Sequence, residues 1–332
     1  MPVTKAEQRL PDGFQADDLG QAVTSSNGHI ALISYNASPV AQNRAQNYVV
    51  FILDSALRAN VASYQWQVLS EDVTTQEGVW QFTPTVLGTM TLNVTLKNAS
   101  NASVGTISLT QTVAPVNADL ENLITLDNAT HPVAGDPTTS REVINDYLAH
   151  IHAVAPVASE EILNKLLFGI SYVEAQSQNT AARALTLSSM RTALNAGQTQ
   201  AAAFFTQAAA GSGICMIRPE ILAMTLQQGS NPLIPWQEIP TDPAQRQTTL
   251  TSLQTALAGL SEDRRIDIFN ILRFPKASLK ACKLILDKLR NQYFSNHSYS
   301  AVMGNNTQAQ QILFQLKSGP FSMTPAPTSI PA

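Results

Sequence analysis

The spacing of apolar residues changes once along this chain, and no other feature constrains its fold as strongly. From about residue 30 to 114, apolar and polar residues alternate. Leu92, Val94 and Leu96 show this pattern. From residue 139 onward, apolar residues recur at intervals of three or four. Alternation is typical of strands with one buried face, whereas the longer intervals are typical of amphipathic helices. The sequence therefore predicts a multidomain chain, a β region followed by an all-α region.

These regions divide the chain into five predicted segments. They are an N-terminal arm at 1–29, a β-sandwich at 30–114, a turn-rich linker at 115–138, an α-helical domain at 139–317 and a Pro-rich tail at 318–332. About seven short strands fit the sandwich. Helices are predicted at about 139–154, 159–175, 180–195, 198–210, 217–228, 244–259, 261–273, 276–295 and 307–317.

Three elements of the β region carry a resemblance to known domains. They are Tyr64-Gln65-Trp66, Trp80-Gln81-Phe82-Thr83-Pro84 and the alternating run 88–96. In this order they resemble PKD and related immunoglobulin-like domains, which have a core Trp on an early strand. The resemblance implies a β-sandwich in which Trp66 packs in the core. Such sandwiches serve as spacers, adhesion modules or carbohydrate-associated appendages, so the resemblance implies a fold rather than a function.

Neutral polar side chains outnumber charged ones. Charged residues make up 13% of the chain, about half of the roughly 25% usual in soluble domains. The 26 Gln and 21 Asn exceed the 20 Lys and Arg and 24 Asp and Glu taken together. We expect amides and hydroxyls to cover the surface, and the net charge of −4 argues against nucleic acid as a partner. The expected partner is a protein or an uncharged glycan.

No targeting or cofactor motif is evident. The N-terminal residues lack the basic and apolar stretches of a Sec signal, and no apolar run reaches the roughly 18 residues of a membrane span. We expect synthesis in the cytoplasm and release in a particle or by a route that needs no signal. Cys215 and Cys282 fit neither a metal nor a redox motif. Two buried thiols are expected, with one disulfide as the alternative.

Glu174 is the leading catalytic candidate. It lies near the end of the helix predicted at 159–175, in register with Leu167 and Ile170, so its carboxyl faces the edge of the apolar stripe. Partial burial and the negative end of the helix dipole would both favour the protonated acid. A carboxyl that is protonated near neutral pH is what the general acid of a glycoside hydrolase requires.

Two segments resemble motifs of lysozyme-like transglycosylases. SYVEAQSQN at 171–179 is similar to the Glu-Ser-x-x-Asn element, which implies that Glu174 is the catalytic acid. GSGICMIRPE at 211–220 is similar to the Gly-Leu-Met-Gln element, with Met216 at the Met position. The chain departs from these motifs at Ala175 and Ile217, where the family has Ser and Gln.

The sequence also contains candidates for substrate binding and for a second catalytic carboxylate. Met216 and Trp236 are candidate substrate-binding residues. Glu220 and Glu238 are available as a second carboxylate, and no spacing selects between them.

Two charged patterns have both a functional and a structural interpretation. Glu142, Asp146 and His150 form one helical stripe that suits a divalent metal but is also typical of a solvated helix face, so no metal is predicted. The segment 261–290 is rich in basic residues. It fits either a solvated helix face or a docking surface for an acidic partner.

Two functions of different class are compatible with these features. The first is a non-enzymatic interaction or structural protein, in which the sandwich is the recognition or assembly module and the helical domain a scaffold. A component or cargo of a phage-tail-like particle would suit a chain without a secretion signal. The second is a peptidoglycan hydrolase of lysozyme-like type with Glu174 as general acid. A wide polar groove around Glu174 would favour the enzyme, whereas a Glu174 sealed against another helix would favour the first function.

Overall fold

A computed structural model of the protein describes residues 5–116, 150, 161–177, 180–195, 211 and 213–319. Its strands precede most of its helices, which confirms the predicted order of a β region and then an α region. The chain divides into two compact units, which are Met1–Leu126 with Phe274–Lys276 and Asp127–Arg273 with Ala277–Ala332.

Two sheets form the first unit. Their strands are β1 (Gln21–Thr24), β2 (Ile30–Ser34), β3 (Val40–Ala41), β4 (Gln46–Ile52), β5 (Ser63–Val68), β6 (Glu71–Thr75), β7 (Val79–Phe82), β8 (Gly88–Lys97) and β9 (Ser103–Ala114). One sheet has the order β1-β2-β4-β7, and the other has the order β3-β9-β8-β5-β6. The pairings are antiparallel except for β3 with β9. This architecture is an immunoglobulin-like β-sandwich.

Regular structure begins within the segment that the sequence assigns to an N-terminal arm. A 3-10 helix (Lys5–Gln8) and α1 (Ala16–Leu19) precede β1. Leu19 is fully buried, and β1 pairs along its whole length with β2. The first sheet therefore starts ahead of the alternating pattern. The unit also contains α2 (Ser55–Asn60), which begins where the Asp54 carboxylate accepts a hydrogen bond from the Leu57 amide.

The sandwich core consists of the inward residues of both sheets. In β8, Leu92, Val94 and Leu96 are buried, in agreement with the alternation of the sequence. Trp66 on β5 is completely buried, and its indole N–H donates to the Thr75 hydroxyl at 2.8 Å. The indole thus keeps a hydrogen-bond partner inside the core. The prediction that Trp66 packs in the core is confirmed.

Amide side chains connect the two sheets inside the sandwich. Gln111, which is buried on β9, accepts a hydrogen bond from the Tyr48 hydroxyl at 3.0 Å. Its own amide donates to the Gln21 side chain at 2.8 Å and to the Asn36 carbonyl at 3.1 Å. Burying such groups is tolerated because each finds a partner. The abundant amides therefore contribute to the interior as well as to the surface.

Eight helices lie between residues 161 and 319 in the part that the structure describes. They are α3 (Glu161–Ser177), α4 (Thr180–Asn195), α5 (Pro219–Thr225), α6 (Pro243–Ala258), α7 (Glu262–Arg273), α8 (Pro275–Phe294), α9 (Tyr299–Met303) and α10 (Asn306–Lys317). Two short strands, β10 (Gln227–Gln228) and β11 (Asn231–Pro232), follow α5. The predicted helix at 198–210 and residues 320–332 of the predicted tail lie outside the described residues, and of the predicted helix at 139–154 only His150 is described.

Side-chain caps fix where α6 and α10 begin. The Asp242 carboxylate accepts a hydrogen bond from the Gln245 amide at 2.9 Å, and Pro243 occupies the first position of α6. The Asn305 side chain caps α10 in the same way through the Gln308 amide. At its other end α10 stops at Ser318, which has a left-handed backbone. These boundaries place Lys317 in the last turn of α10.

Candidate functional site

Glu174 forms an ion pair rather than facing open solvent. Its carboxylate lies 2.7 Å from the ammonium of Lys317, and the two side chains are only 15% and 7% exposed. The same ammonium donates a hydrogen bond to the Cys215 carbonyl at 2.6 Å. Lys317 therefore joins three segments of the second unit, which are α3, the loop before α5 and α10.

This arrangement differs from the one that a general acid requires. An ion pair uses the ionised carboxylate, whereas a general acid must carry a proton that it can donate to the substrate. Glu174 is held by a lysine from another helix, and little of either side chain reaches solvent. The contacts of Glu174 are thus those of a structural ion pair.

The loop that contains Met216 comes close to Glu174, because Glu174 and the Cys215 carbonyl both contact Lys317, but Met216 itself is buried. Its side chain is 5% exposed, and its backbone has a φ of 46°. Gly211 approaches the Met216 backbone so closely that an added Cβ would lie 2.3 Å from the Met216 carbonyl oxygen. The close backbone packing requires glycine at position 211. Met216 is a packing residue of this loop rather than part of an open substrate surface.

The two cysteines are free and buried, which confirms the expectation of buried thiols. Cys215 and Cys282 are hydrogen-bonded to each other through their side chains. This hydrogen bond and burial raise the pKa of the Cys215 thiol well above its ordinary value. A thiol of this kind is a weak nucleophile, so the pair acts as apolar packing in the reduced protein.

Trp236 belongs to another cluster of the second unit. The Lys288 ammonium lies 5.1 Å from the centre of the Trp236 ring, a cation–π distance. That ammonium also donates to the Met224 carbonyl at 2.8 Å, and burial lowers the pKa of Lys288. Trp236 is half-buried and helps to shield this lysine.

The two candidates for a second carboxylate have different surroundings. Glu220 is almost fully buried, and its carboxylate accepts hydrogen bonds from Arg218 at 3.0 Å and from Gln254 at 3.2 Å. Glu238 is exposed. Glu220 thus ties α5 to α6, and Glu238 is the more accessible of the two.

Both charged patterns of the sequence include residues that the structure describes. No group of three or more His, Cys, Asp and Glu side chains there could hold a metal ion. Glu142 and Asp146 lie outside the described residues, and His150 is buried. The expectation of a solvated basic face at 261–290 is wrong for Arg265 and Arg273, which are both buried.

The sandwich, in contrast, exposes a broad surface of mostly uncharged polar side chains. We call it the hydroxyl–amide face, and it is the outer surface of four strands of the second sheet. Its residues are Gln65, Gln67, Asp72, Thr74, Thr89, Thr91, Asn93, Thr95, Thr106, Ser108, Thr110 and Thr112. Asp72 is the charged residue of this set, and Lys97 at the end of β8 lies on the same side of the sheet. Alternation places all of these side chains opposite the core.

Cross-strand hydrogen bonds organise the hydroxyl–amide face. The hydroxyls of Thr91 and Thr110 lie 3.1 Å apart, and the Ser108 hydroxyl donates to the Asn93 carbonyl oxygen at 2.7 Å. The carboxylate of Asp72 accepts amide hydrogen bonds from the glutamines of β5 at 2.8 and 2.9 Å. These hydrogen bonds lower the pKa of Asp72. The sequence shows this face as alternating Thr, Asn and Gln, a pattern that by itself predicts an exposed strand face but no function.

Comparisons with known proteins give a match among solved structures. No protein-family model and no curated protein matches the chain. Among solved structures, the fibronectin(III)-like modules of Clostridium thermocellum CbhA match with 15% identity and a TM-score of 0.23. The match covers 26% of this chain and 99% of the CbhA module. The lysozyme-like resemblance around Glu174 has no support in these comparisons. In the residues that the structure describes, no helix is both long and apolar enough to span a membrane.

Proposed function

We propose that this protein is a non-enzymatic interaction or structural protein whose sandwich, of PKD type, is the recognition or assembly module. In this proposal the helical region is the scaffold, and the chain is a component or cargo of a phage-tail-like particle. The hydroxyl–amide face carries the proposal, because its Thr, Ser, Asn and Gln side chains lie together on one side of four adjacent strands.

Several properties suit this face to protein contact. Thr and Ser side chains are short, so an approaching surface meets no long charged side chain between Thr89 and Thr95 on β8 or along β9, and Lys97 lies at the end of β8. Fewer rotamers are lost when such side chains are covered than when Lys or Glu is covered. Interface centres are typically depleted of charged residues. The face can therefore be buried against a neutral protein surface while the Asp72 carboxylate keeps its hydrogen bonds to Gln65 and Gln67.

The hydrolase alternative finds less support in the geometry. Glu174 is engaged by Lys317 at 2.7 Å, and this lysine belongs to the last turn of α10. A sealed, ion-paired Glu174 is the arrangement that we expect of the non-enzymatic protein. The alternative is tested directly by Glu174→Gln in a peptidoglycan turbidity assay, since the amide keeps the shape of the side chain and loses the titratable proton.

The assembly role is tested by placing positive charges on the face. The variant Thr91→Lys/Thr110→Lys adds two adjacent ammonium groups where the hydroxyls now meet. Thr24→Lys is the matched control, because Thr24 is exposed on β1 of the other sheet. In cells that produce the protein, sedimented particles should contain the wild type, Thr24→Lys and Glu174→Gln. The double variant should remain in the supernatant.

Two results would reject this proposal. One is a wild-type chain that stays wholly in the supernatant together with all three variants. The other is lysis of peptidoglycan by the purified wild type that Glu174→Gln abolishes, which would establish the hydrolase instead. Circular dichroism of the double variant checks that the added charges leave the sheets folded.

A further inference from the structure

The second unit contains a groove that the proposed function does not use. Its volume is about 740 Å³, within the range of roughly 300–1,000 Å³ typical of small-ligand sites. One wall is the segment 238–245, which leads into α6, and the other wall is α10. All of the lining residues lie in the part of the chain that the structure describes. We call this feature the glutamine groove.

A polar stripe of α10 forms one wall. Thr307, Gln310, Gln311 and Phe314 follow each other at helical spacing and share one face over about 10 Å, at 1.5 Å of rise per residue. The apolar residues of α10, such as Ile312 and Leu316, are buried. The helix therefore packs through its apolar residues and leaves the polar stripe to line the groove.

Gln315 fixes the floor of the groove. Its amide donates to the Ile239 carbonyl at 2.9 Å, and its carbonyl oxygen accepts from the Ile239 amide at 2.9 Å. Gln315 is buried, so this pair of hydrogen bonds joins the two walls rigidly. Both backbone groups of Ile239 are thereby used. A peptide cannot pair with the backbone at Ile239 as an added strand.

The groove offers hydrogen-bonding groups to a ligand. The side-chain amides of Gln245, Gln310 and Gln311 form no hydrogen bond with any other residue that the structure describes. Each of these amides provides two donors and one acceptor oxygen. The carboxylates of Glu238 and Asp242 also line the groove, so its charge disfavours anions. The Phe314 ring adds an apolar surface, and the Arg246 guanidinium lies 5.6 Å from its centre.

We propose that the glutamine groove binds a neutral oligosaccharide. A sugar ring presents adjacent hydroxyls that both donate and accept, which matches amides and carboxylates, and its C–H face packs on an aromatic ring. Anionic ligands are disfavoured by the two carboxylates, and strand-like peptides are disfavoured by the engaged backbone of Ile239. This site lies on a different surface and in a different unit from the hydroxyl–amide face. Its test is therefore independent of the proposed assembly role.

The test is calorimetric titration of the full chain with cellohexaose, maltohexaose and N-acetylchitohexaose. We expect one of these neutral hexasaccharides to bind at millimolar or lower concentration. Gln310→Ala/Gln311→Ala should weaken that binding about tenfold or more, because two amides lose their contacts with the ligand. The matched control is Gln247→Ala, an exposed glutamine of α6 outside the groove, which should bind like the wild type.

Three results would overturn the proposal. They are no binding of any of the three hexasaccharides at millimolar concentration, equal affinity of the double variant and the wild type, and equal or tighter binding of an anionic hexagalacturonate. Because Gln310 is exposed and Gln311 half-buried, the double variant is expected to fold, and its far-UV circular dichroism verifies this. A weakened affinity in a folded double variant, with Gln247→Ala unchanged, supports the site.

Discussion

Lys317→Met should destabilise the protein substantially, because it removes the ammonium that pairs with the Glu174 carboxylate. Removing one partner of a fully buried ion pair costs about 3–5 kcal/mol. Lys317 and Glu174 are 7% and 15% exposed, so some water reaches the remaining carboxylate and lowers this cost. The lost hydrogen bond to the Cys215 carbonyl adds about 1 kcal/mol. We therefore expect the free energy of unfolding to fall by about 2–4 kcal/mol.

A double-mutant cycle separates the ion pair from the other contacts of each residue. Glu174→Gln should cost less than Lys317→Met, about 1–2 kcal/mol, because its amide oxygen still accepts from Lys317. The double variant should then be more stable than the sum of the two losses predicts, with a coupling of about 1 kcal/mol or more. Urea denaturation followed by the helical signal in far-UV circular dichroism measures all four proteins.

Lys165→Met is the control for this cycle, because Lys165 is exposed on the same helix as Glu174. Its free energy of unfolding should stay within about 0.5 kcal/mol of the wild type. The reasoning is refuted if Lys317→Met is as stable as Lys165→Met, or if the coupling between Lys317 and Glu174 is zero. In either case the ion pair between Lys317 and Glu174 would contribute no net stability.

Two further predictions concern the sandwich. Gln111→Leu removes the acceptor of the buried Tyr48 hydroxyl and the donor to Gln21, so urea denaturation should show a loss of about 1–3 kcal/mol. Hydrogen bonds from Gln65 and Gln67 lower the pKa of Asp72 in the folded state. The stabilising effect of these hydrogen bonds is therefore present above the unfolded-state pKa of about 3.9. It is lost as the pH falls through the lower folded-state pKa. Asp72→Asn should therefore lose less stability than the wild type between pH 7 and acid pH in parallel denaturation series; equal losses would contradict this assignment.

The fold could be predicted well where it depends on local periodicity. The burial of Trp66 and the alternation along β8 follow directly from the sequence, because each strand residue faces the core or solvent according to its position. The helices from α3 to α10 also begin and end near their predicted bounds, apart from α9. That helix has five residues, too few for a helical period to be recognisable.

Contacts between distant residues could not be predicted in the same way. The amide of Gln111 donates to a residue 90 positions away, and Lys317 donates to a carbonyl 102 positions away. No period in the sequence encodes such pairs. The sequence placed Glu174 at the edge of an apolar stripe, but its environment depends on which residue of another helix arrives there. A lysine at that point favours an ion pair, whereas an open groove would have left the acid accessible.

Glutamines occupy both buried and exposed positions in this protein, and this accounts for the small number of its charged residues. On α10, Gln315 is buried and satisfies both backbone groups of Ile239, while Gln310 on the same helix is exposed at the groove. An amide can occupy a buried or an exposed position, because the hydrogen bonds to water that it loses on burial are replaced by hydrogen bonds to a protein partner. A charged side chain needs a counter-charge as well, as the pair of Glu174 with Lys317 illustrates. Uncharged side chains thus form hydrogen bonds inside the protein and also cover its exposed surfaces. Surfaces of this kind select partners by hydrogen-bond geometry rather than by charge.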